Sequence, residues 1–395
     1  LYPYIYLLAR TSFILQSTSL HEAARVLGAD GSRTFWKVAL PVARPAVAGG
    51  LALVLMETVA DYGVVEHFGV PTFTSGIFRT WYAMGEHSAA LQLAGWLFVI
   101  VAVLVVAEQF ARRGHRFNPV SINRSNVQVK LVGLPAIAAT VACSIPVCLG
   151  FIVPFLMLLE HAISVGDPML GKGFSKLLFN SLYVAGYAAF LCAVASVWLN
   201  YAQRLHSGLG MKLAVRIATL GYAIPGMVLA VGILVPLTFV DRGVSGFLRD
   251  NFDGFSGLLI TGSVACLVFV YVARFLTVAY NSGHMGMAAL HYNLDAAARS
   301  LGASPRRVLQ QIHFPLLRPA LLSGLLLVFI DVMKELPATL ILRPFNFETL
   351  STRVYRLAAD ERLSEASTAA LSIIVLGLIP IALILLTTFD AKRSQ

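Results

Sequence analysis

Runs of about 20 apolar residues recur along most of this chain, and short segments between them hold the charges. A helix needs about 20 such residues to cross the hydrocarbon core of a bilayer. Of the 395 residues, 57% are hydrophobic and 13% are charged, too few charges to cover a water-soluble globule. The sequence therefore predicts an all-α, polytopic membrane protein. Its candidate spans are a partial one at 1–9 and complete ones at 45–65, 89–108, 131–159, 178–201, 214–240, 258–283, 319–341 and 367–388.

The distribution of lysine and arginine predicts which side of the membrane each connecting segment faces. Nineteen of these residues lie in the segments 10–44, 110–130, 202–216, 284–318 and 389–395. Nine lie in the alternate segments 66–88, 160–177, 242–257 and 342–366, together with ten carboxylates. Segments rich in Lys and Arg stay in the cytoplasm. We therefore expect the first set, and with it the C-terminus, on the cytoplasmic side.

The chain contains an internal repeat at a constant offset of 274 residues. Segment 22–46 aligns with segment 296–320, and eleven of its residues have an identical partner there. The same offset pairs Glu57 with Asp331, Asp61 with Glu335, Arg79 with Arg353 and Trp81 with Tyr355. We therefore expect two homologous halves, 1–109 and 131–395, joined by a basic cytoplasmic linker at 110–130. The second half has six spans, so by symmetry three further spans are expected ahead of residue 1.

Each copy of the repeat reads as a cytoplasmic helix–glycine–helix hairpin between two spans. In the first copy, Ser19 and Glu22 predict a capping box, Gly28 a left-handed stop, Asp30 a second cap and Pro41 a helix end. In the second copy, Asn293 is the predicted cap, Gly302 the stop, and Ser304 with Pro305 the next start. A single copy would read equally well as a plain connector. Two copies in register indicate two like sockets for a partner that also comes in two copies.

The sequence of the hairpin resembles a family motif. Glu22-Ala23-Ala24, followed by Gly28 and Leu40-Pro41, is similar to the "EAA" loop of importer-type ABC permeases. In the second copy, at about 293–319, Ala296 replaces the glutamate, and Asp295 stands one position earlier. By this resemblance the ATPase-coupling residues are Glu22, Ala23, Ala24, Gly28, Pro41, Asp295, Ala297, Ala298, Gly302 and Pro315.

Four further segments narrow the resemblance to the fused two-half permeases for ferric iron: 54–63, 68–73, 331–339 and 342–345. Permeases for thiamine, phosphonates and polyamines share this architecture and stay open as alternatives. The resemblance implies a dimer of ATP-binding subunits that binds ATP and Mg²⁺, so that this chain has no cofactor and is not itself an enzyme. It also implies a periplasmic or surface-anchored substrate-binding protein and a place in the cytoplasmic (inner) cell membrane.

Four carboxylates fall inside the equivalent predicted spans 45–65 and 319–341: Glu57, Asp61, Asp331 and Glu335. The members of each pair are four residues apart, so on one helix they would share a face. Because ionised groups avoid lipid, we expect them to face the interface between the halves and to line the translocation pathway as weak oxygen ligands. Two alternatives stay open, namely a structural pairing such as one with Lys334, and a hydrated position at the outer end of the span.

The remaining motifs in the sequence do not support a further functional site. Residues 166–173 nearly spell a phosphate-binding loop, but Gly173 stands where a Ser or Thr would bind Mg²⁺. The four cysteines lie in apolar stretches without metal-ligand spacing, and the basic residues form no nucleic-acid motif, so neither a tight metal site nor a nucleic-acid partner is expected. A secondary transporter driven by an ion gradient is the alternative from another class, since such proteins also combine repeats with intramembrane carboxylates.

Overall fold

The computed structural model describes residues 1–14, 16, 18–113, 131–206, 208–251, 259–291 and 293–393. Within these ranges every regular element is a helix, which confirms the all-α prediction. Most of the predicted linker, 114–130, lies outside the described residues. The first helices are α1 (Tyr2–Ile14), α2 (Thr18–Val26), α3 (Gly31–Ala60), α4 (Gly63–His67), α5 (Phe73–Phe78) and α6 (His87–Arg113).

The second half of the chain holds ten more helices among the described residues. They are α7 (Leu134–Ser164), α8 (Lys172–Leu205), α9 (Leu209–Ala218), α10 (Gly226–Asn251), α11 (Val264–Ala289), α12 (Asn293–Ser300), α13 (Pro305–Met333), α14 (Pro337–Leu342), α15 (Leu350–Ala359) and α16 (Leu363–Arg393).

Eight of the described helices are long and apolar enough to cross a bilayer, the number of complete spans predicted: α3, α6, α7, α8, α10, α11, α13 and α16. The predicted span 214–240 is wrong in its bounds, because α9 ends at Ala218 and α10 begins at Gly226. The break has a packing cause. A Cβ at Gly221 would lie 1.8 Å from the carbonyl oxygen of Ala273 on α11, so the chain approaches α11 more closely than a regular helix with side chains permits.

The prediction that Pro41 ends a helix is also wrong. Helix α3 runs through Pro41, and α13 runs through Pro315 in the same way. Each proline follows one turn of π-helix, Phe35–Ala39 or Leu309–His313, and therefore falls in the first turn of the next α-helical stretch. A missing N–H is tolerated at that position. The spans predicted at 45–65 and 319–341 thus begin earlier, at Gly31 and Pro305.

Two compact units make up the structure: Leu1–Asp61 with Gly95–Ile152, and Tyr62–Ala94 with Val153–Gln395. These units do not follow chain order, whereas the predicted halves were defined by the sequence repeat. The boundaries of the predicted halves stay a prediction.

The repeat extends into the packing within each unit. In the first unit, α1 crosses α3 at Gly50, where a Cβ would lie 2.7 Å from the Cα of Ile5. In the second unit, α11 crosses α13 at Gly324, where a Cβ would lie 3.2 Å from the Cα of Ala279. Gly50 and Gly324 are 274 residues apart, and so are their partners Ile5 and Ala279. Helix α1 therefore packs on α3 as the second half of α11 packs on α13.

The segment Tyr62–Ala94 belongs to the first half by sequence but packs in the second unit. The hydroxyl groups of Tyr62 and Tyr355 are hydrogen-bonded at 2.8 Å, and the Tyr82 hydroxyl donates to the Leu340 carbonyl at 2.8 Å. Helices α5 and α15 each begin with a capping box, formed by Thr72 with Ser75 and by Thr349 with Thr352.

The two capping boxes are 277 residues apart, whereas the repeat upstream has an offset of 274. The expected alignment of Arg79 with Arg353, and of Trp81 with Tyr355, is therefore wrong, because these residues do not occupy equivalent positions in the two helices. By the capping boxes, Arg79 corresponds to Arg356 instead. A three-residue insertion between the span end and the box accounts for the difference.

Candidate coupling loops and membrane carboxylates

The two predicted hairpins turn in the same way. Gly28 and Gly302 adopt φ values of +78° and +80°, which confirms the left-handed stops. The N–H of Gly28 donates to the carbonyl of Arg25 at 2.9 Å, and the next N–H reaches back to Ala24 at 3.0 Å. The second copy repeats both bonds at the same lengths, from Gly302 to Arg299 and from Ala303 to Ala298. Both helices therefore end in a Schellman motif, in which these bonds satisfy otherwise unpaired carbonyls.

The caps that follow the glycines are also as predicted. The Asp30 carboxylate accepts the Arg33 N–H at 2.8 Å, and the Ser304 hydroxyl oxygen accepts the Arg307 N–H at 3.4 Å. The predicted cap at Ser19 is wrong, because α2 already begins at Thr18 and Ser19 lies inside the helix.

Each hairpin has one buried and one exposed face. Ala24 and Ala298 are buried, and they anchor the helices α2 and α12. The residue before each glycine, Leu27 or Leu301, is 85% or 87% exposed. Glu22, Ala23, Gly28, Ala297 and Gly302 are exposed on the same loops. A leucine exposed at the tip of each hairpin gives two equivalent apolar projections that a partner groove can cover.

Asp295 does not lie on the exposed face. Its side chain is 8% exposed, and its two oxygens accept hydrogen bonds from Arg204 Nε at 2.7 Å and His313 Nε2 at 2.6 Å. Burial alone would raise the pKa of this carboxyl, but the bonds from Arg204 and His313 hold it below the usual range. Sequence reasoning missed both partners, since the only signal was a basic residue at the end of one span and a histidine before another.

The two carboxylates of each half were expected to share one helical face, and this expectation is wrong. Helix α3 ends at Ala60 and α13 ends at Met333, so Asp61 and Glu335 lie just beyond the helices that carry Glu57 and Asp331. The corners are equivalent, since the N–H of Asp61 donates to Thr58 at 3.3 Å and that of Glu335 donates to Val332 at 3.1 Å. Glu57, Asp61 and Asp331 are half-buried, whereas Glu335 is buried.

Glu335 is paired inside the second unit. Its Oε1 accepts hydrogen bonds from Arg274 Nη1 at 2.8 Å and from the Ala338 N–H at 3.0 Å. The structural pairing with Lys334, kept open above as an alternative, is confirmed for Asp331, whose Oδ1 lies 3.1 Å from Lys334 Nζ. Arg274 is a basic residue in the middle of α11, and such a residue inside a membrane span requires a partner. That rule was the signal by which sequence reasoning could have found this pair.

A third buried ion pair joins the segment before α8 to α15. Arg353 donates to the carboxylate of Asp167 through Nη2 at 2.7 Å and Nε at 3.1 Å. Burial raises the pKa of the Asp167 carboxyl, but the hydrogen bonds from Arg353 and the Met169 N–H outweigh it and lower the pKa. Asp167 lies in the segment that resembles a phosphate-binding loop, which therefore serves as an anchor for α15.

Among the described residues, no group of three His, Cys, Asp or Glu side chains is arranged to hold a metal ion.

The sequence is similar to those of known transport proteins. The chain is 26% identical over 393 residues to the "Fe(3+)-transport system permease protein FbpB 2" of Haemophilus influenzae, covering 97% of this chain and 74% of the relative. It is 26% identical over 377 residues to the "Ferric transport system permease protein FbpB" of Actinobacillus pleuropneumoniae, covering 88% and 49%. It thus spans about three quarters of one curated relative and about half of the other.

Two further similarities concern shorter proteins. The "Putative 2-aminoethylphosphonate transport system permease protein PhnV" of Salmonella typhimurium is 29% identical over 272 residues, covering 65% of this chain and 95% of that protein. A solved bacterial ABC transporter involved in the import of the acidic polysaccharide alginate shares the fold, with a TM-score of 0.50 at 15% identity over 66% of this chain and 95% of that one.

The family described as "Binding-protein-dependent transport system inner membrane component" matches residues 1–109 and 201–395. Both matched stretches contain a hairpin with its exposed leucine. Since this match covers most of the sequence, the chain belongs to that family of multi-pass inner membrane transport components.

Proposed function

We propose that this chain is the membrane-spanning permease of an ATP-driven ABC importer that moves ferric iron by alternating access. The observation that carries the proposal is the pair of matched hairpins, each closed by a left-handed glycine and each exposing a leucine at its tip. Two equivalent apolar projections fit a partner with two equivalent grooves. A dimer of ATP-binding subunits, which would bind ATP and Mg²⁺, is such a partner.

The predicted membrane topology also indicates where a substrate-binding protein would dock. The hairpins and the C-terminus lie on the cytoplasmic side, where the Lys and Arg residues concentrate. The opposite side then presents the segments around α5 and α15 to a periplasmic or surface-anchored binding protein. On that surface Glu86, Asp360 and Glu361 are exposed, whereas Arg353 is buried with Asp167 and takes no part.

Iron as the cargo rests on the two ferric-transport relatives and on the chemistry of the half-buried carboxylates. Glu57, Asp61 and Asp331 carry carboxylate oxygens, the ligands that hard cations prefer, and the partner of Asp331, Lys334, is itself half-exposed. A few separate oxygens bind weakly, and weak sites let a transporter release what it carries. Glu335 is satisfied by Arg274 and Ala338, and we assign it a structural role rather than a place in the pathway.

The deciding experiment is uptake by the complex in vesicles. The protein is purified with its ATPase and reconstituted with the cognate binding protein, and the entry of radiolabelled Fe³⁺ is followed with and without ATP. We expect uptake that requires both ATP and the binding protein. Preference for 2-aminoethylphosphonate, thiamine or spermidine in competition would keep the importer and reject iron. Uptake that ignores ATP and collapses with the ion gradient would reject the importer.

Neutralising two pathway carboxylates tests their role separately. Because Glu57→Gln with Asp331→Asn removes two oxygen ligands but few packing contacts, we expect Fe³⁺ uptake to fall about tenfold or more, the equivalent of about 1.4 kcal/mol, with ATPase association unchanged. The matched control is Glu160→Gln with Asp250→Asn, the same charge change at two exposed positions outside the surface proposed for the binding protein. Equal uptake by the two double variants would remove Glu57 and Asp331 from the pathway.

A further inference from the structure

We infer that the buried cluster of Arg204, Asp295 and His313 is a positioning device that joins the second coupling hairpin rigidly to the membrane helices. The inference rests on the proposed function, since it concerns how the hairpin transmits motion. The cluster connects three elements: the last turn of α8, the hairpin helix α12 and the π turn inside α13.

Both carboxylate oxygens of Asp295 are engaged by partners inside the protein. One carboxylate oxygen is 2.7 Å from Arg204 Nε and the other is 2.6 Å from His313 Nε2. The three side chains are only 6%, 8% and 1% exposed, in the order Arg204, Asp295, His313. Hydrogen bonds to an ionised carboxylate are among the strongest that a side chain makes. The acidic residue of this hairpin therefore acts inward.

The cluster extends to a third membrane helix. Arg204 Nη1 donates to the carbonyl of Met287 in the last turn of α11 at 2.9 Å. Tyr201, one turn before Arg204, packs its ring against His313 and donates its hydroxyl to the Pro305 carbonyl at 2.5 Å. Helices α8, α11 and α13 pack on one another in the second unit. A force on α12 thus reaches all three helices through one set of buried bonds.

The first hairpin carries different residues at the equivalent positions. The positions that correspond to Asp295 and His313 are His21 and Ala39, so the carboxylate–imidazole pair is absent from that copy. There, Gln16 Nε2 donates to the Ala39 carbonyl at 2.8 Å, a neutral bond from a neighbouring segment. Conversely, the first hairpin exposes Glu22, where the second has Ala296.

The two hairpins therefore divide two tasks that one carboxylate cannot perform together. The first offers its acidic group to the outside, and the second uses its acidic group to fix the hairpin. Loss of the cluster should leave the exposed surface with Leu301 intact, so that the ATPase still docks. What should fall is the number of ions moved per ATP hydrolysed.

The test compares variants that move or mimic the buried groups. Asp295→Asn removes the charge at constant size, and Asp295→Asn with Ala296→Glu places a carboxylate at the outward position. His313→Gln keeps a donor near Nε2, whereas His313→Leu removes it. Each complex is assayed for ATPase co-purification, for ATP hydrolysis and for Fe³⁺ moved per ATP.

With docking retained, we expect Asp295→Asn to lower the transport-to-hydrolysis ratio about tenfold, as loss of charge-assisted bonds implies. Ala296→Glu should not restore the ratio, and His313→Gln should exceed His313→Leu several-fold. Restoration by Ala296→Glu, an unchanged ratio in Asp295→Asn, or equal ratios for the two His313 variants would overturn the inference.

Hydrogen exchange of the hairpin amides separates this inference from the proposed function and does not depend on transport. In the wild-type protein, residues 293–302 should exchange more slowly than 18–28, and in Asp295→Asn they should lose that protection. Equal exchange in the wild-type and Asp295→Asn proteins would overturn the positioning role. A wild-type complex without ATP-dependent uptake would instead reject the proposed function alone.

Discussion

Replacing both exposed tip leucines, Leu27→Asp with Leu301→Asp, is expected to abolish association with the ATP-binding subunits. Covering a leucine side chain with a partner contributes about 1.5–3 kcal/mol, and an aspartate at the same place would bury an unpaired charge. Two such losses weaken binding by at least about a hundredfold. Co-purification of the ATPase and a titration of its affinity measure the effect.

The chain offers a matched control for this substitution. Leu209, at the start of α9, is 85% exposed, as Leu27 is, but lies outside both hairpins. Leu209→Asp introduces the same charge in the first turn of a helix, where a negative charge is favourable. We expect this variant to bind the ATPase normally. If it binds as weakly as the tip variant, or if the tip variant binds normally, the assignment of the docking surface is wrong.

Removing one partner of the buried pair between Arg274 and Glu335 is expected to have the largest effect on stability. Glu335→Ala leaves the guanidinium of Arg274, only 11% exposed, without its carboxylate. Breaking a buried pair in this way destabilises a protein by roughly 3–5 kcal/mol. There is no room for rearrangement on one side, since a Cβ at Gly226 would lie 1.8 Å from Arg274 Nη1. The loss of stability is measured by heating the detergent-solubilised protein and using size-exclusion chromatography to quantify the fraction that remains folded.

Two comparisons make the interpretation of this variant specific. Arg274→Met with Glu335→Leu removes both charges, and we expect it to recover most of the stability, because no buried charge is then unpaired. Lys334→Ala breaks the more exposed pair with Asp331, and such pairs contribute at most about 1 kcal/mol. If the uncharged double variant is stable but transports no iron, Glu335 belongs to the pathway after all. Normal transport by that variant supports the structural assignment.

Local chemistry was predictable where a short segment determines its own conformation. The left-handed stops at Gly28 and Gly302 and the caps at Asp30 and Ser304 follow from nearby backbone groups, and the structure confirms all four. The number of complete spans was predictable for a similar reason, because the bilayer sets the length of each apolar run. The sequence repeat also located the matched hairpins before any contact was known.

Span boundaries were less predictable, because they depend on neighbours distant in sequence. The break between α9 and α10 exists because Gly221 packs against the backbone of α11, a contact that no local pattern encodes. Pro41 was expected to end a helix, but a preceding π turn places it, like Pro315 in the second copy, where a missing N–H does no harm. The corners at Asp61 and Glu335 likewise moved both carboxylates off the faces that a continuous helix would give them.

The sequence by itself determined that this protein crosses a membrane many times, that a unit recurs within it, and that each copy of the unit contains a hairpin with a left-handed glycine. These properties are set by residue type and spacing along one segment. Only the tertiary structure decided where the charges point: Asp295 toward Arg204 and His313, and Glu335 toward Arg274. A charged group that leaves water must find a partner from another helix, and which helix supplies it depends on the packing of the whole unit.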